Sequence, residues 1–410
     1  MALATVFFCL LILSSAAISL LLLRLCRAAL RPASSAALPP LPPPPPQELA
    51  FLVSPPPPPP PPFKEDELKK SMAAAAEGEE PRRLAWREVE ALTGGFDEAA
   101  VVGRGGSSTV YLSTAASPVS PAAVKVQRWC GGGERRAAAF RRELGLLRRL
   151  RHPNLVALRA YSDDHEEGGA LVLEYIAGGT LAGRLHGAGG GVSPLSWRHR
   201  MRAVHDVAAA LEHLHDHAAV VHGDVSASNV LLDGLGGAQL CDLGSACECT
   251  FSAAVARGAA AVGSPGYADP FFLRTGVVSK KSDVYSFGVL LLEAVTGSPA
   301  AGDGEYLTAR ILPRVRAVGV EGLVDGRLGS EYDAEEAIDI GKIAVECLAA
   351  QPGLRPTMAR VRASVEEKAA RSIAATTGGD GRGVPDGEDP ATCQGGRGGG
   401  ACRWRVGERV

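Results

Sequence analysis

The sequence lacks an excess of charge of either sign: 43 Lys and Arg against 45 Asp and Glu leave a formal net charge of -2. That balance excludes nucleic acid as the main partner, since such binding needs a strongly basic surface. A disulfide framework is lacking too. The nine cysteines, at 9, 26, 130, 241, 247, 249, 347, 393 and 402, are odd in number and scattered, which fits a reducing, cytosolic setting for most of the chain. Metal-site spacing is also missing. Cys247 and Cys249 form a C-x-C with no second Cys/His pair near, and read as ordinary thiols. In "LEHLHDH", His213 and His217 share a helix face without a third or acidic ligand, so these histidines and His215 read as helix-terminal groups favoured by the dipole.

Charge is wholly absent from Ala2 to Leu23, where "VFFCLLILSSAAISLLLL" is followed at once by Arg24, Arg27 and Arg31. Those residues, at ~1.5 Å rise, reach roughly 33 Å, enough to cross a bilayer core. Basic residues after the run place the remainder in the cytosol, and with one residue ahead of it no ectodomain is expected. A cleaved signal peptide would want the positive charges on the other side. Residues 1–31 are therefore expected to be a single-pass membrane anchor, with Cys26 a candidate palmitoylation site. Residues 32–83 read as a proline-rich linker, with "PPLPPPPP" and an unbroken run from Pro55 to Pro62. Such a stretch favours extended polyproline II, a semi-rigid spacer that could also dock a proline-recognition domain. At the other end, residues 369–410 contain "GGDGRGVPDGEDP" and "GGRGGG", too polar and Gly-rich to bury an apolar core. The folded domain is thus expected over 84–368.

Inside that domain "VVGRGGSSTVYLS" sets Gly103, Gly105 and Gly106 between two β-branched runs. A glycine-rich turn joining strands lets backbone amides approach a polyphosphate. A dinucleotide fingerprint would need a helix directly afterwards, whereas "STVYLS" alternates like a strand. Next comes "AAVKV", with Lys125 alone among apolar residues. Burying that ammonium is costly unless it meets a fixed anion. Glu143 is the candidate, in "AAAFRRELGLLRRL", where Phe140, Leu144, Leu147 and Leu150 have helical spacing.

The remaining motifs are "RHPNLVALRAY", "ALVLEYI", "VVHGDVSASNVLLD", "CDLGSA", "GSPGYADP", "KSDVYSFGVLLLEAVTG" and "CLAAQPGLRPTMARV". In this order the sequence resembles a eukaryotic protein kinase over about 84–368, in wording closest to plant receptor-like serine/threonine kinases. The resemblance implies a two-lobed α+β fold, the small lobe at about 96–176 and the large lobe at about 177–368. It implies ATP and Mg²⁺ as cofactors, protein substrates and an upstream receptor or co-receptor. It also implies roles. Lys125 would hold the α- and β-phosphates while pairing with Glu143. Gly103 and Gly105, with Arg104 and Gly106, would cover the phosphates. Val110 and Ala123 would pack on adenine, Leu173 would be the gatekeeper, and Glu174 to Ile176 the hinge, with Leu231 in the same nucleotide-binding set. Asp224 would accept the substrate proton, Asn229 and Asp242 would bind Mg²⁺, and Asp283 would brace the catalytic loop. His222 and Leu243 would join the core stack.

The sequence departs from that pattern in several places. Ser108 stands at the third glycine, and the metal-binding turn reads Asp242-Leu243-Gly244; both are tolerable. Asp269-Pro270-Phe271 lacks the Glu expected to pair with Arg355, so looser anchoring of the activation segment is expected. Gly223 replaces an Arg that binds an activation-loop phosphate, and Ser226 replaces a Lys near the γ-phosphate. Losing that cation would cost about 2–4 kcal/mol of transition-state stabilisation, or ~30- to 1,000-fold in rate. Two readings follow: a slowed serine/threonine kinase, or a kinase-fold scaffold that transfers little phosphate.

Overall fold

The structure, a computed structural model, describes residues 80–377 except 106–107, 114–120, 130–132, 164–167, 188–193, 235, 250–254, 257–262 and 303. The apolar run at 2–23, Cys26, the proline stretch and the Gly-rich tail lie outside the described residues. Among the described residues no helix is long and apolar enough to cross a membrane.

The small lobe is a six-stranded sheet built from β1 (Arg82–Arg83), β2 (Val101–Arg104), β3 (Ser108–Ser113), β4 (Ala122–Gln127), β5 (Leu158–Ser162) and β6 (Gly169–Glu174). Their order is β1-β5-β6-β4-β3-β2. All pairings are antiparallel except the edge strand β1, which runs parallel to β5. Helix α1 (Trp86–Leu92) packs one face, where Trp86, Val89 and Leu92 meet Tyr111, Val124, Val126 and Val172 in a separate apolar cluster. This cover precedes residue 96, so the small lobe recruits chain that its strand pattern alone does not mark. Helix α2 (Gly133–Arg149) packs the other side, burying Phe140, Leu144 and Leu147 while Arg136, Arg141, Arg142, Arg148 and Arg149 stay exposed.

The large lobe is helical: α3 (Leu181–His186), α4 (Trp197–Glu212), α5 (Pro270–Thr275), α6 (Lys280–Thr296), α7 (Leu307–Val318), α8 (Ala334–Cys347), α9 (Met358–Lys368) and α10 (Ala370–Thr377). Helix α6 is apolar on nearly every side and almost wholly buried, as a central core helix must be. Short strands β7 (Val220–Val221), β8 (Val230–Leu232), β9 (Ala238–Leu240) and β10 (Cys247–Glu248) frame the loop from His222 to Asn229 and the turn from Asp242 to Gly244. Helix α10 continues the fold past residue 368: Ala369 is buried, and Ser372 bonds Glu336 through both its amide and its hydroxyl.

Candidate active site

Register explains why one face of the small sheet stays open. Val110 lies opposite Lys125 and Leu112 opposite Ala123, while Ala123 faces Leu173 and Lys125 faces Leu171 across the next pair. Directly opposed residues share a face, so Val110, Ala123, Lys125 and Leu173 line one side. Val110, Ala123 and Leu173 are only half-buried, whereas Tyr111, Val124 and Val172 on the reverse face are buried beneath α1. Gly103 pairs with Val110 beside a bulge, and Gly105 closes the turn by donating its amide to Ser108 O at 2.8 Å. Gly106 lies outside the described residues. The Arg104 side chain is exposed and ion-paired with Glu98, which leaves its backbone as the part belonging to the loop. At the hinge, the Glu174 amide donates to Ala157 O at 2.9 Å, Ile176 is buried, and Leu231 is bridged to Thr180 just beyond.

Lys125 reaches both lobes. Its Nζ donates to Glu143 Oε1 at 2.7 Å and to Asp242 Oδ1 at 2.8 Å. Burial opposes the charge on Lys125, but Asp242 and Glu143 together overcome it and raise its pKa. The ammonium in turn holds the Asp242 carboxyl down at about 2 against the effect of its burial. Asp242 adopts a left-handed backbone with φ of 62°, and its carboxylate also accepts the Gly244 amide at 3.1 Å. A Cβ at Gly244 would come within 3.0 Å of Asp242 Oδ1 and 3.4 Å of Glu143 Oε2, so a side chain there would crowd the triad. Leu243 is buried in the same apolar cluster as Leu147 and Leu158, keeping the turn packed inward.

The loop from His222 to Asn229 hangs from Asp283 at the start of α6. Asp283 accepts the His222 and Gly223 amides at 2.8 Å each, and His215 Nε2 at 2.8 Å. Burial would raise this carboxyl; the hydrogen bonds and histidines outweigh it and hold it low. His215 is therefore a buried partner of Asp283 rather than a helix-terminal dipole group, because the chain winds through a π turn at His213–His217 that aims it inward. His222 accepts the Asp224 amide at Nδ1 and donates from Nε2 to Cys241 O at 3.1 Å, linking the loop to the metal-binding turn. Asn229 Nδ2 donates to Asp224 O at 2.8 Å, and Cys241 N donates to Asn229 O at 2.9 Å. Asp224 Oδ1 accepts both the amide and the hydroxyl of Ser264, at 2.7 and 2.8 Å. Ser226 is fully buried and its hydroxyl has no hydrogen-bond partner among the described residues.

One expectation is overturned. Arg355 does not lack an acid: its guanidinium makes two bonds of 2.8 Å to the carboxylate of Asp269, two residues before the position where the family has Glu. Both side chains are buried, and Arg355 also donates to Ala349 O and Lys281 O. The activation segment is thus anchored through a different residue. Sequence reasoning also missed Tyr267 and Glu293, which hydrogen-bond one another while the Tyr267 hydroxyl accepts the Ala227 amide of the loop. The available signal was Glu293 itself, a lone acid in the apolar run "FGVLLLEAV".

Comparison with known proteins agrees with this arrangement. A family model described as the protein kinase domain matches residues 96–365. A salt tolerance receptor-like cytoplasmic kinase of Oryza sativa subsp. japonica is 49% identical over 297 residues, 70% of this chain and 80% of that protein. A probable receptor-like protein kinase of Arabidopsis thaliana is 38% identical over 300 residues, 68% of this chain and 85% of that protein. A probable LRR receptor-like serine/threonine-protein kinase of Arabidopsis thaliana is 34% identical over 291 residues, covering 70% of this chain but 32% of that longer protein. By family model and by relatives, the chain belongs to the protein kinase family, among the plant receptor-like kinases.

Proposed function

We propose that the chain is a membrane-anchored serine/threonine kinase that transfers the γ-phosphate of ATP to hydroxyl groups of cytosolic proteins. The observation that carries this reading is the closed Lys125–Glu143–Asp242 triad, with Asp224 held in the loop beside it. Phosphoryl transfer needs positioning and charge neutralisation more than covalent chemistry. Lys125, fixed by two carboxylates, is preorganised to orient a polyphosphate. Asp224, its carboxylate set by Ser264, takes the proton from the attacking hydroxyl.

The residues present fit Mg²⁺: Asp242 and Asn229 offer hard oxygen donors, and the Asn229 amide nitrogen is already committed to Asp224 O, which turns its oxygen elsewhere. When bound, the metal would supply charge neutralisation at the phosphates. Asp224 and its Ser264 contacts are retained while the Lys expected at 226 is missing, which supports slow rather than absent transfer. The apolar run at 2–23 and its basic flank support the anchor, and the proline stretch supports a spacer that a proline-recognition domain could bind. An upstream receptor or co-receptor completes the proposal.

Labelled ATP, Mg²⁺ and the full-length chain, followed by phosphoamino-acid analysis, test the chemistry. Label on serine or threonine that is lost in Asp224→Asn is expected. Label on tyrosine alone, or label unchanged by Asp224→Asn, contradicts it. Deleting residues 1–31 should move the protein from the membrane to the soluble fraction; a full-length chain recovered from the medium, cleaved after the apolar run, would overturn the anchor.

A further inference from the structure

The segment after the hinge is tied to the nucleotide-side strand by main-chain contacts: Leu232 N donates to Gly179 O at 2.9 Å, and Thr180 bridges Leu231. It then forms α3, and the last residue of that helix, His186, turns into the large lobe. Its Nδ1 lies 3.2 Å from Gly297 O, and its Nε2 lies 2.6 Å from Glu293 Oε1. A carboxylate oxygen only accepts, so at the shorter contact Nε2 carries a hydrogen and donates it to Glu293.

The other carboxylate oxygen of Glu293 accepts the hydroxyl of Tyr267. That hydroxyl in turn accepts the amide of Ala227 at 3.1 Å, inside the loop between Asp224 and Asn229. An oxygen that accepts from an amide must send its own proton onward, so the order is fixed: Ala227 N–H to Tyr267 O–H to Glu293, with His186 donating to Glu293 from the far side. Tyr267 has a second hold on the site. Its amide donates to Ser264 O at 3.1 Å, its carbonyl accepts Ser286 Oγ at 2.9 Å, and Ser264 makes the two bonds to Asp224. Glu293 and Tyr267 are buried, whereas the His186 side chain is 20% exposed at the edge of the network.

We infer that His186 is a positioning residue for the catalytic loop, setting Asp224 through Glu293, Tyr267, Ala227 and Ser264. The inference rests on the phosphotransfer reading for its effect on rate, but not for its effect on loop order. The helix that begins beside the adenine-side strand thereby helps hold the catalytic base. Without the His186 donor, the Glu293 carboxylate is fixed by Tyr267 alone and can rotate, and the Ala227 amide loses a firmly placed acceptor. Misplacing a reacting group by a fraction of an ångström lowers turnover more than ground-state binding.

The test compares full-length wild type, His186→Ala, His186→Gln and Tyr267→Phe. His186→Gln keeps an N–H for Glu293, and Tyr267→Phe keeps the ring while removing the hydroxyl. Hydrogen exchange of the Ala227 amide is expected to quicken in His186→Ala and Tyr267→Phe and to stay near wild type in His186→Gln. Turnover should follow, with kcat down on the order of 10-fold in His186→Ala, KM for ATP within about 2-fold, and most of kcat restored in His186→Gln. Unchanged Ala227 exchange in His186→Ala overturns the inference, as does a His186→Gln variant as damaged as His186→Ala. If wild type transfers no more phosphate than Asp224→Asn, the phosphotransfer reading fails, while the exchange measurement still decides the link from His186 to the loop.

Discussion

Asp269→Asn removes one charge from the interior of the large lobe and changes almost nothing else. The carboxylate it replaces takes two 2.8 Å bonds from Arg355, and the two side chains are 1% and 0% exposed. Asparagine has the same shape and still caps α5, where Asp269 now accepts the Phe271 amide at 2.9 Å. What remains is a guanidinium with no anion, in a place water cannot reach. Breaking a buried pair from one side costs about 3–5 kcal/mol, and at ~2–4 °C per kcal/mol for a domain of this size the unfolding midpoint should fall by roughly 10 °C. Asp269→Ala also loses the cap and should cost about 1 kcal/mol more. Arg355→Met in the Asp269→Asn background removes the stranded charge, so the double variant should be more stable than the single one. Phe271→Glu in that background restores the acid at the position where related kinases carry it, and should recover part of the loss. Thermal and urea unfolding of the four variants supply the data. An Asp269→Asn midpoint within about 2 °C of wild type, the range of an ordinary surface change, would refute the argument that this pair anchors the activation segment.

Other consequences follow from single residues. Gly223 has a φ of 77°, so Gly223→Arg should cost about 1–2 kcal/mol of stability in backbone strain, measured by urea unfolding, without raising the rate. Ser226 buries a hydroxyl with no partner among the described residues, so Ser226→Ala should leave stability equal or raise it by up to ~1 kcal/mol; a clear loss would mean the hydroxyl is bonded in solution. His152 stacks on His213 at 4.9 Å, and burial, followed by the neighbouring His213, lowers its pKa to about 4. An unfolded histidine takes up its proton near 6.5, so between pH 6.5 and 4 the unfolded state binds more protons and stability falls as the solution is acidified. His152→Asn should flatten the fall of the unfolding midpoint across that window, and an unchanged slope would contradict this.

Most of the fold could be read because its motifs depend on local chemistry. A lone lysine in an apolar strand, a glycine turn between strands and a helix with a buried glutamate each leave a pattern in neighbouring residues, and the structure brings Lys125, Glu143 and Asp242 together. What escaped were partnerships that only packing creates. Asp269 precedes a proline and caps α5, and nothing local says that Arg355, 86 residues on, will meet it. His215 looked like one of three equivalent histidines until the π turn set it apart. Helix α1 lies before the glycine turn, where a short amphipathic stretch after a proline-rich segment gives no sign that it covers the sheet. The apolar run at 2–23, expected from hydropathy to be a membrane span, lies outside the described residues.

The central claim is that Lys125, held between Glu143 and Asp242, is the charge on which phosphate transfer depends. Lys125→Met leaves two acids facing one another, one of them the buried Glu143, whose pKa burial already raises. The variant should therefore lose some stability yet stay folded by protonating Glu143. Single-turnover transfer of the γ-phosphate from ATP, measured with Mg²⁺ on full-length wild type, Lys125→Met and Asp224→Asn, is the direct measurement. The account predicts transfer by wild type that falls by ~100-fold or more in each variant. Wild type no faster than Lys125→Met, with both folded, would contradict it.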